Sequence, residues 1–335
     1  MTVNINDKVI LKATSQGDLW KVTDVDSNNS TYVTVQCLTN RIIKVVPEDQ
    51  VTKVNEVTAM KILEENQAAS EVFMATISKN ISTAKLNVSS SDNLLSEIPG
   101  TVLHLDSDPN FLKQCLDFYN EKSVIAHGYT MKPSEMPGGI LELLNKHKPD
   151  ILVVTGHDGF IDKSKPYSLE SYINSRYYVE AVKQARKFDR DKDSLVIFAG
   201  SCESFYDALM FSGANFASSP KRISIQKYDP AIIAAEVALT PILSQVSPVE
   251  FIPRVEANFD EIGGIETRGA LRKGIPFSMT SPNRGSIFQN WQPSTNYRVT
   301  PCWYRGTPCY GICNQCRINN PYRHCYRSII SKMHF

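Results

Sequence analysis

The chain has 335 residues, of which 42% are hydrophobic and 21% charged, with a formal net charge of +1. Those values exclude a disordered or fibrous chain and allow two or three domains of ordinary size. The balanced charge gives no general attraction to nucleic acid, and no stretch approaches the roughly 20 apolar residues of a membrane span, so neither nucleic acid nor membrane insertion is expected.

The amino terminus, MTVNINDKVILKA, lacks the basic start and apolar run of a secretory signal, so a cytoplasmic start is expected. Residues 6–54 alternate apolar and polar positions in short runs separated by SQG and SNNS, which predicts four or five strands and an SH3-like β-barrel over 1–56. Such barrels commonly bind partners; Trp20, Tyr32 and Val35 read as its core, with a partner-binding face as the alternative. From Val57 to Lys79 the period turns helical, with Met60, Ile62, Leu63, Val72, Phe73 and Ile77 as a buried stripe, giving a helical linker over 57–99 that ends in the Ser- and Asn-rich NVSSSDNLLSEIPG.

Strand and helix then alternate. Strands are expected at 101–105, 123–127, 150–155 and 194–199, and helices at 109–120, 136–147, 168–188 and 203–212. Short apolar strands alternating with amphipathic helices imply an α/β domain over 100–276, with a doubly wound, mainly parallel sheet. Ligands of such sheets bind at the carboxyl ends of the strands. Two strands end there in chemistry: ILVVTGHDG places His157, and LVIFAGSCES places Cys202. A thiol of ordinary pKa, about 8.5, is mostly protonated at neutral pH and needs a base, and a histidine near 6.5 can supply one. Gly156, Gly159 and Gly200 permit sharp turns and exposed amides beside a substrate carbonyl. A helix starting directly after Cys202 favours thiolate and oxyanion through its dipole. The nucleophile reading expects iodoacetamide to label Cys202 first. The competing reading is plain packing, because free cysteine is often buried and a lone histidine is usually structural.

The 45 residues between His157 and Cys202 approximate the caspase spacing, in which each residue also ends a strand; the Q-A-C-x-G block is absent, so the likeness is to the caspase-like arrangement alone. The ordered blocks VLHLDSDPNFLKQCLDFY, KPDILVVTGHDG, SYINSRYYVEAVKQARK, LVIFAGSCES, SGANFASSPKR and GGIETRGALRKGIP resemble the YabG family, sporulation-specific cysteine peptidases of endospore-forming bacteria. With the barrel, the resemblance spans most of 1–276. It implies a mother-cell enzyme that processes spore-coat and related spore proteins and becomes associated with the coat, with the family's catalytic pair on His157 and Cys202. The blocks depart from the family at Ser201 and Glu203, which flank the nucleophile. Glu203 can raise the thiol pKa or help to read a basic substrate.

Asp106, Asp158 and Glu203 are candidates for an acidic pocket that receives arginine or lysine before the cleaved bond, while Asp108 before Pro109 reads as a helix cap. Asp158 can instead orient His157 or be a solvated loop charge. Asn215, Ser218 and Ser219 are expected toward the same edge, and Arg176 reads as a surface charge. Basic specificity raises self-processing at Arg186-Lys187 or Arg272-Lys273. The tail, 277–335, has no apolar period and is an irregular segment holding five of the eight cysteines. Cys309, Cys313, Cys316 and Cys325, with Cys302 and His324 nearby, suit either a structural zinc or intermolecular disulfides. Its Cys- and Tyr-rich composition suits coat association, and no cofactor is expected for catalysis. The alternative to the enzyme is a non-catalytic coat scaffold that uses barrel and tail as interaction modules.

Overall fold

A computed structural model describes residues 3–12, 17–25, 31–81, 96–255 and 257–274, together with the backbone of 302–304 and 307–309. The chain divides into two compact units, Met1–Phe277 and Ser278–Phe335. In the first unit, strands β1 (Lys8–Leu11), β2 (Trp20–Val25), β3 (Tyr32–Cys37), β4 (Ile43–Pro47) and β5 (Val51–Lys53) form one antiparallel sheet in the order β4-β3-β2-β1-β5. Alternation builds it: Trp20 and Val22 on β2, with Val33, Val35 and Cys37 on β3, point to one buried face. Tyr32, read as core, is 45% exposed because it falls on the opposite phase of β3.

Helix α1 (Glu56–Asn80) begins where Asn55 caps the Thr58 amide. Its buried positions are Ala59 and Ile77. Met60 and Val72 are exposed, so the expected stripe is corrected: the helix turns those two side chains away from the surface that covers Ile77.

The α/β part follows as β6 (Ser96–Ile98), β7 (Val102–Asp106), α2 (Pro109–Glu121), β8 (Ala126–Thr130), α3 (Met136–His147), β9 (Ile151–Val154), α4 (Ser175–Phe188), β10 (Val196–Ala199), α5 (Tyr206–Ser212), β11 (Phe216–Ser218), α6 (Asp229–Leu239), β12 (Gln245–Val246), α7 (Pro248–Arg254), β13 (Ile262–Gly264), β14 (Thr267–Arg268) and β15 (Arg272–Gly274). The central sheet runs β13-β11-β10-β9-β7-β8, parallel except for β13. Its central strands β9 and β10 are apolar on both sides, as burial between two helical layers requires. Val102, Val153 and Phe198 meet α2 and α6, and Leu103, Leu105, Leu152 and Ile197 meet α3 and α4.

Two helix starts differ from expectation. The stretch expected as helix 168–188 opens as a single turn at Leu169–Ser171 and becomes α-helical only at Ser175. Helix α5 begins at Tyr206, four residues beyond Cys202, because Cys202–Phe205 form a turn with Glu203 at φ 56°. No helix dipole therefore starts at the thiol.

Tail strands β16 (Cys302–Tyr304) and β17 (Thr307–Cys309) pair antiparallel, with Cys302 opposite Cys309. The zinc ligands expected at Cys313, Cys316 and Cys325 lie outside the described residues, as does the side chain of Cys309. Among the described residues no helix is long and apolar enough to cross a membrane, and no cluster of histidine, cysteine and carboxylate side chains could hold a metal.

Candidate active site

The chain leaves β7 for β8 on one side and returns to β9 on the other, so the strand order reverses between β7 and β9. Asp106 ends β7, His157 follows β9 and Cys202 follows β10. Register-paired Val154 and Ala199 carry His157 and Cys202 past the same edge, three residues beyond each strand's end. The loops are tied to each other. Thr155 Oγ1 donates to the Gly200 carbonyl at 2.8 Å, and Ser201 Oγ donates to the Gly156 carbonyl at 2.5 Å.

The glycines serve close approach. A Cβ on Gly156 would stand 2.3 Å from Ser107 Oγ, and Gly200 takes φ +106°, which only glycine adopts without strain. A Cβ on Gly159 would stand 2.0 Å from the Ile43 carbonyl oxygen of the first sheet.

The His157 ring is buried and stacks on Phe111 with centroids 5.7 Å apart. Its Nε2 lies 3.0 Å from the Cys37 carbonyl, which can only accept, so Nε2 carries the proton and Nδ1 is free to accept from Gln36 Nε2 at 3.2 Å. Burial lowers its pKa despite Asp108 and the Cys37 carbonyl, which favour the charged form. The ring is thus neutral at neutral pH and has the protonation state of a base.

Cys202 is fully buried. Its sulfur donates to the Ile225 carbonyl at 3.7 Å and accepts the Ile225 amide at 3.4 Å. Burial pushes the thiol up to about 12, offset in part by the Ile225 and Arg41 amides facing the sulfur. Its hydrogen bonds go to Ile225 and those of the His157 ring to Gln36 and Cys37, so the two side chains stand on adjacent strand ends without a hydrogen bond joining them. First labelling by iodoacetamide is therefore not the outcome this structure supports. A thiol near 12 holds roughly 10³-fold less thiolate at neutral pH than an ordinary one. Alkylation of Cys202 in the folded chain is expected to be slower than in urea by at least that factor, as read by mass spectrometry of the labelled peptide; equal rates would contradict the buried thiol.

The carboxylates separate by role. Asp106 is fully buried and binds Arg41 Nη1 at 2.6 Å, while its other oxygen accepts the Asp108 amide at 2.9 Å. Burial pushes its pKa up, but the Arg41 guanidinium overcomes this and holds the carboxyl well below the usual range. Asp108 caps α2 through the amides of Asn110 and Phe111. Asp158 does not face a pocket and does not touch the His157 ring. Its carboxylate accepts from the Gly159 and Asn174 amides and the Ser175 and Ser204 hydroxyls, and burial raises it to about 6. It fastens the His157 loop to α4 and to the Cys202 turn. Glu203 is half-buried and accepts the Phe160 amide at 3.1 Å.

Asn215 precedes β11 and so lies at the opposite edge, where it holds Arg186 Nη2 and the Ile197 amide. Ser218 donates to the Ser201 carbonyl, and Ser219 to that of Ile223. Arg176 is exposed over the Tyr177 ring. The basic pairs named for self-processing are not open extended segments: Arg186 closes α4 and donates to the carbonyls of Leu195 and Gly213, and Arg272 lies in β15 paired with β6.

A family model described as YabG peptidase U57 matches residues 4–276. The chain belongs to the YabG peptidase family. The sporulation-specific protease YabG of Bacillus subtilis is 42% identical over 181 residues, which cover 54% of this chain and 62% of that protein. The C-3 member of the nuclear transcription factor Y proteins of Arabidopsis thaliana is 29% identical over 140 residues, 38% of this chain and 62% of that one. The chain thus spans 62% of the length of each of these relatives. The YabG match includes the N-terminal sheet, which here supplies Gln36, Cys37 and Arg41 to the edge that carries His157 and Cys202.

Proposed function

We propose that the chain is a sporulation-specific cysteine endopeptidase in which Cys202 is the nucleophile and His157 the general base, cutting spore-coat and related spore proteins after arginine. What supports the reading is that three adjacent strand ends, two of them at the reversal in strand order, carry a neutral imidazole, a thiol and a buried carboxylate paired with a guanidinium. In the reaction His157 takes the thiol proton, the thiolate adds to the carbonyl carbon and the proton passes to the leaving amine; water then hydrolyses the thioester. Asp106 would hold the guanidinium of the residue before the bond, with lysine weaker because it lacks the two-point contact. The caspase-like arrangement is part of the same proposal. So are the mother-cell location and the coat association of the tail.

Fluorogenic peptides differing only at the residue before the cleaved bond test this directly. Arginine is expected to exceed lysine, and Asp106→Asn to lose at least tenfold in kcat/KM for arginine. Preference for aspartate or an apolar residue would overturn the acidic pocket. The burial of Cys202 and its hydrogen bonds to Ile225 favour a second reading, a non-catalytic coat scaffold, which predicts no cleavage of any peptide.

A further inference from the structure

The segment joining β3 to β4 lies across the candidate site as a substrate would. Asp18 fixes its turn by accepting Thr39 Oγ1 at 2.8 Å and Asn40 Nδ2 at 3.2 Å, and Asn40 Oδ1 accepts the Ile42 amide. Beyond the turn, residues 41–43 run along the His157 loop: the Asp158 amide donates to the Arg41 carbonyl at 3.1 Å, and the Ile43 amide donates to the Asp158 carbonyl at 2.9 Å. This is strand addition, and it explains the glycine at 159, where any side chain would strike the Ile43 carbonyl.

Arg41 is fully buried, which is unusual for arginine and here answered by a built cradle. Nη1 binds Asp106 at 2.6 Å, Nη2 donates to the Lys227 carbonyl at 2.9 Å, and the guanidinium lies 4.9 Å over the Phe111 ring. The carbonyl of the same residue sits on the amide that follows His157, with Ser201 Oγ also 3.1 Å away, and its own amide faces the Cys202 sulfur. One residue therefore presents a guanidinium to the carboxylate, a carbonyl to an amide donor and a backbone to the thiol.

We infer that Arg41 is an internal pseudosubstrate: it fills the subsite for the substrate's arginine, and an incoming arginine must displace it. The inference rests on the arginine-directed peptidase reading. The His157 ring is held on Cys37 and Gln36 and the thiol on Ile225, so the occupied site is also an unassembled one. A cleft of about 520 Å³ opens beside the cradle, lined among others by Leu38, Thr39, Gln67, Phe111 and Lys227. Phe111 and Lys227 belong to both, so the cleft abuts the cradle, while Arg41 and Asp106 stay fully buried and an incoming side chain must move Arg41 to reach the carboxylate.

The test compares the full chain with Arg41→Ala, measuring KM for an arginine peptide and inhibition by agmatine, a small guanidine. Displacement predicts KM and the agmatine inhibition constant at least tenfold lower in Arg41→Ala, with the arginine preference kept. Unchanged values with the preference kept would overturn the pseudosubstrate and leave the arginine reading standing, whereas loss of the arginine preference in both chains would overturn that reading itself. A second measurement avoids any loss of folding in Arg41→Ala. In full-length Cys202→Ala, a peptide ending in arginine is expected to speed hydrogen exchange at the Ile43 and Asp158 amides, which join the segment to the His157 loop, at least tenfold, while the same peptide ending in alanine leaves it unchanged. No acceleration by the arginine peptide would overturn the inference.

Discussion

Proteolysis of coat-protein substrates is expected to vanish in Cys202→Ala and to fall by about 10²- to 10⁴-fold in His157→Ala, the range over which a positioned acid-base group contributes. The first loss is total because alanine leaves no sulfur at the proposed nucleophile's position to form the thioester. The second is partial because strand ends and amide donors remain to orient the carbonyl. Burial lowers the pKa of His157, so the ring can accept a proton without alkaline conditions, as the proposed role requires. New termini mapped by mass spectrometry after incubation with purified substrate provide the measurement. Two other histidines guard the assignment. His104 is buried against Tyr119 beside Asp106, and His127 stacks on His147 on the edge strand. If either proved essential while His157→Ala kept full activity, the placement of the base would be wrong.

The strand ends were legible because two periodicities coincide with them: apolar runs of four residues flanked by amphipathic helices predict buried parallel strands, and each run stops at a glycine next to a reactive side chain. Asp108 was legible as a cap from Pro109 alone. What was not legible lies in contacts between distant segments. Arg41 stands in TNRII, a polar turn between two strands, and nothing local distinguishes it from a solvated charge; its burial exists only because Asp106, 65 residues later, lies opposite. Gln36 and Cys37 are hidden for the same reason. Cys37 lies in the predicted strand TYVTVQCL, and nothing local says that its carbonyl meets a histidine 120 residues away. Asp158 failed in the other direction. Its neighbour is His157, and only the fold shows that its partners are Ser175 and Ser204.

Unfolding of Cys202→Ala chains carrying one further change is expected to show that the two halves of the Arg41–Asp106 pair are not equivalent. Removing one partner of a buried ion pair costs about 3–5 kcal/mol because a charge is left without compensation. Asp106→Ala sits at the upper end or beyond, since guanidinium stays charged at every accessible pH and keeps its full desolvation cost. Asp106→Ala also removes the acceptor of the Asp108 amide at the start of α2. Arg41→Ala is milder, because the orphaned carboxylate can take a proton and so shed its charge. The pH dependences that Asp106 gives the parent Cys202→Ala chain and the chain that also carries Arg41→Ala then have opposite signs. In the parent chain Asp106 has a folded pKa below its unfolded value near 3.9, so its stabilisation is complete above that value and is lost as pH falls toward the depressed folded pKa. In Arg41→Ala burial without the guanidinium lifts the folded pKa above the unfolded one, so stability is greatest in acid and declines as pH rises through and beyond 3.9. Urea midpoints of the two chains between about pH 3 and 8 should therefore diverge as pH rises. Parallel curves would mean that Asp106 is not the carboxylate that holds Arg41.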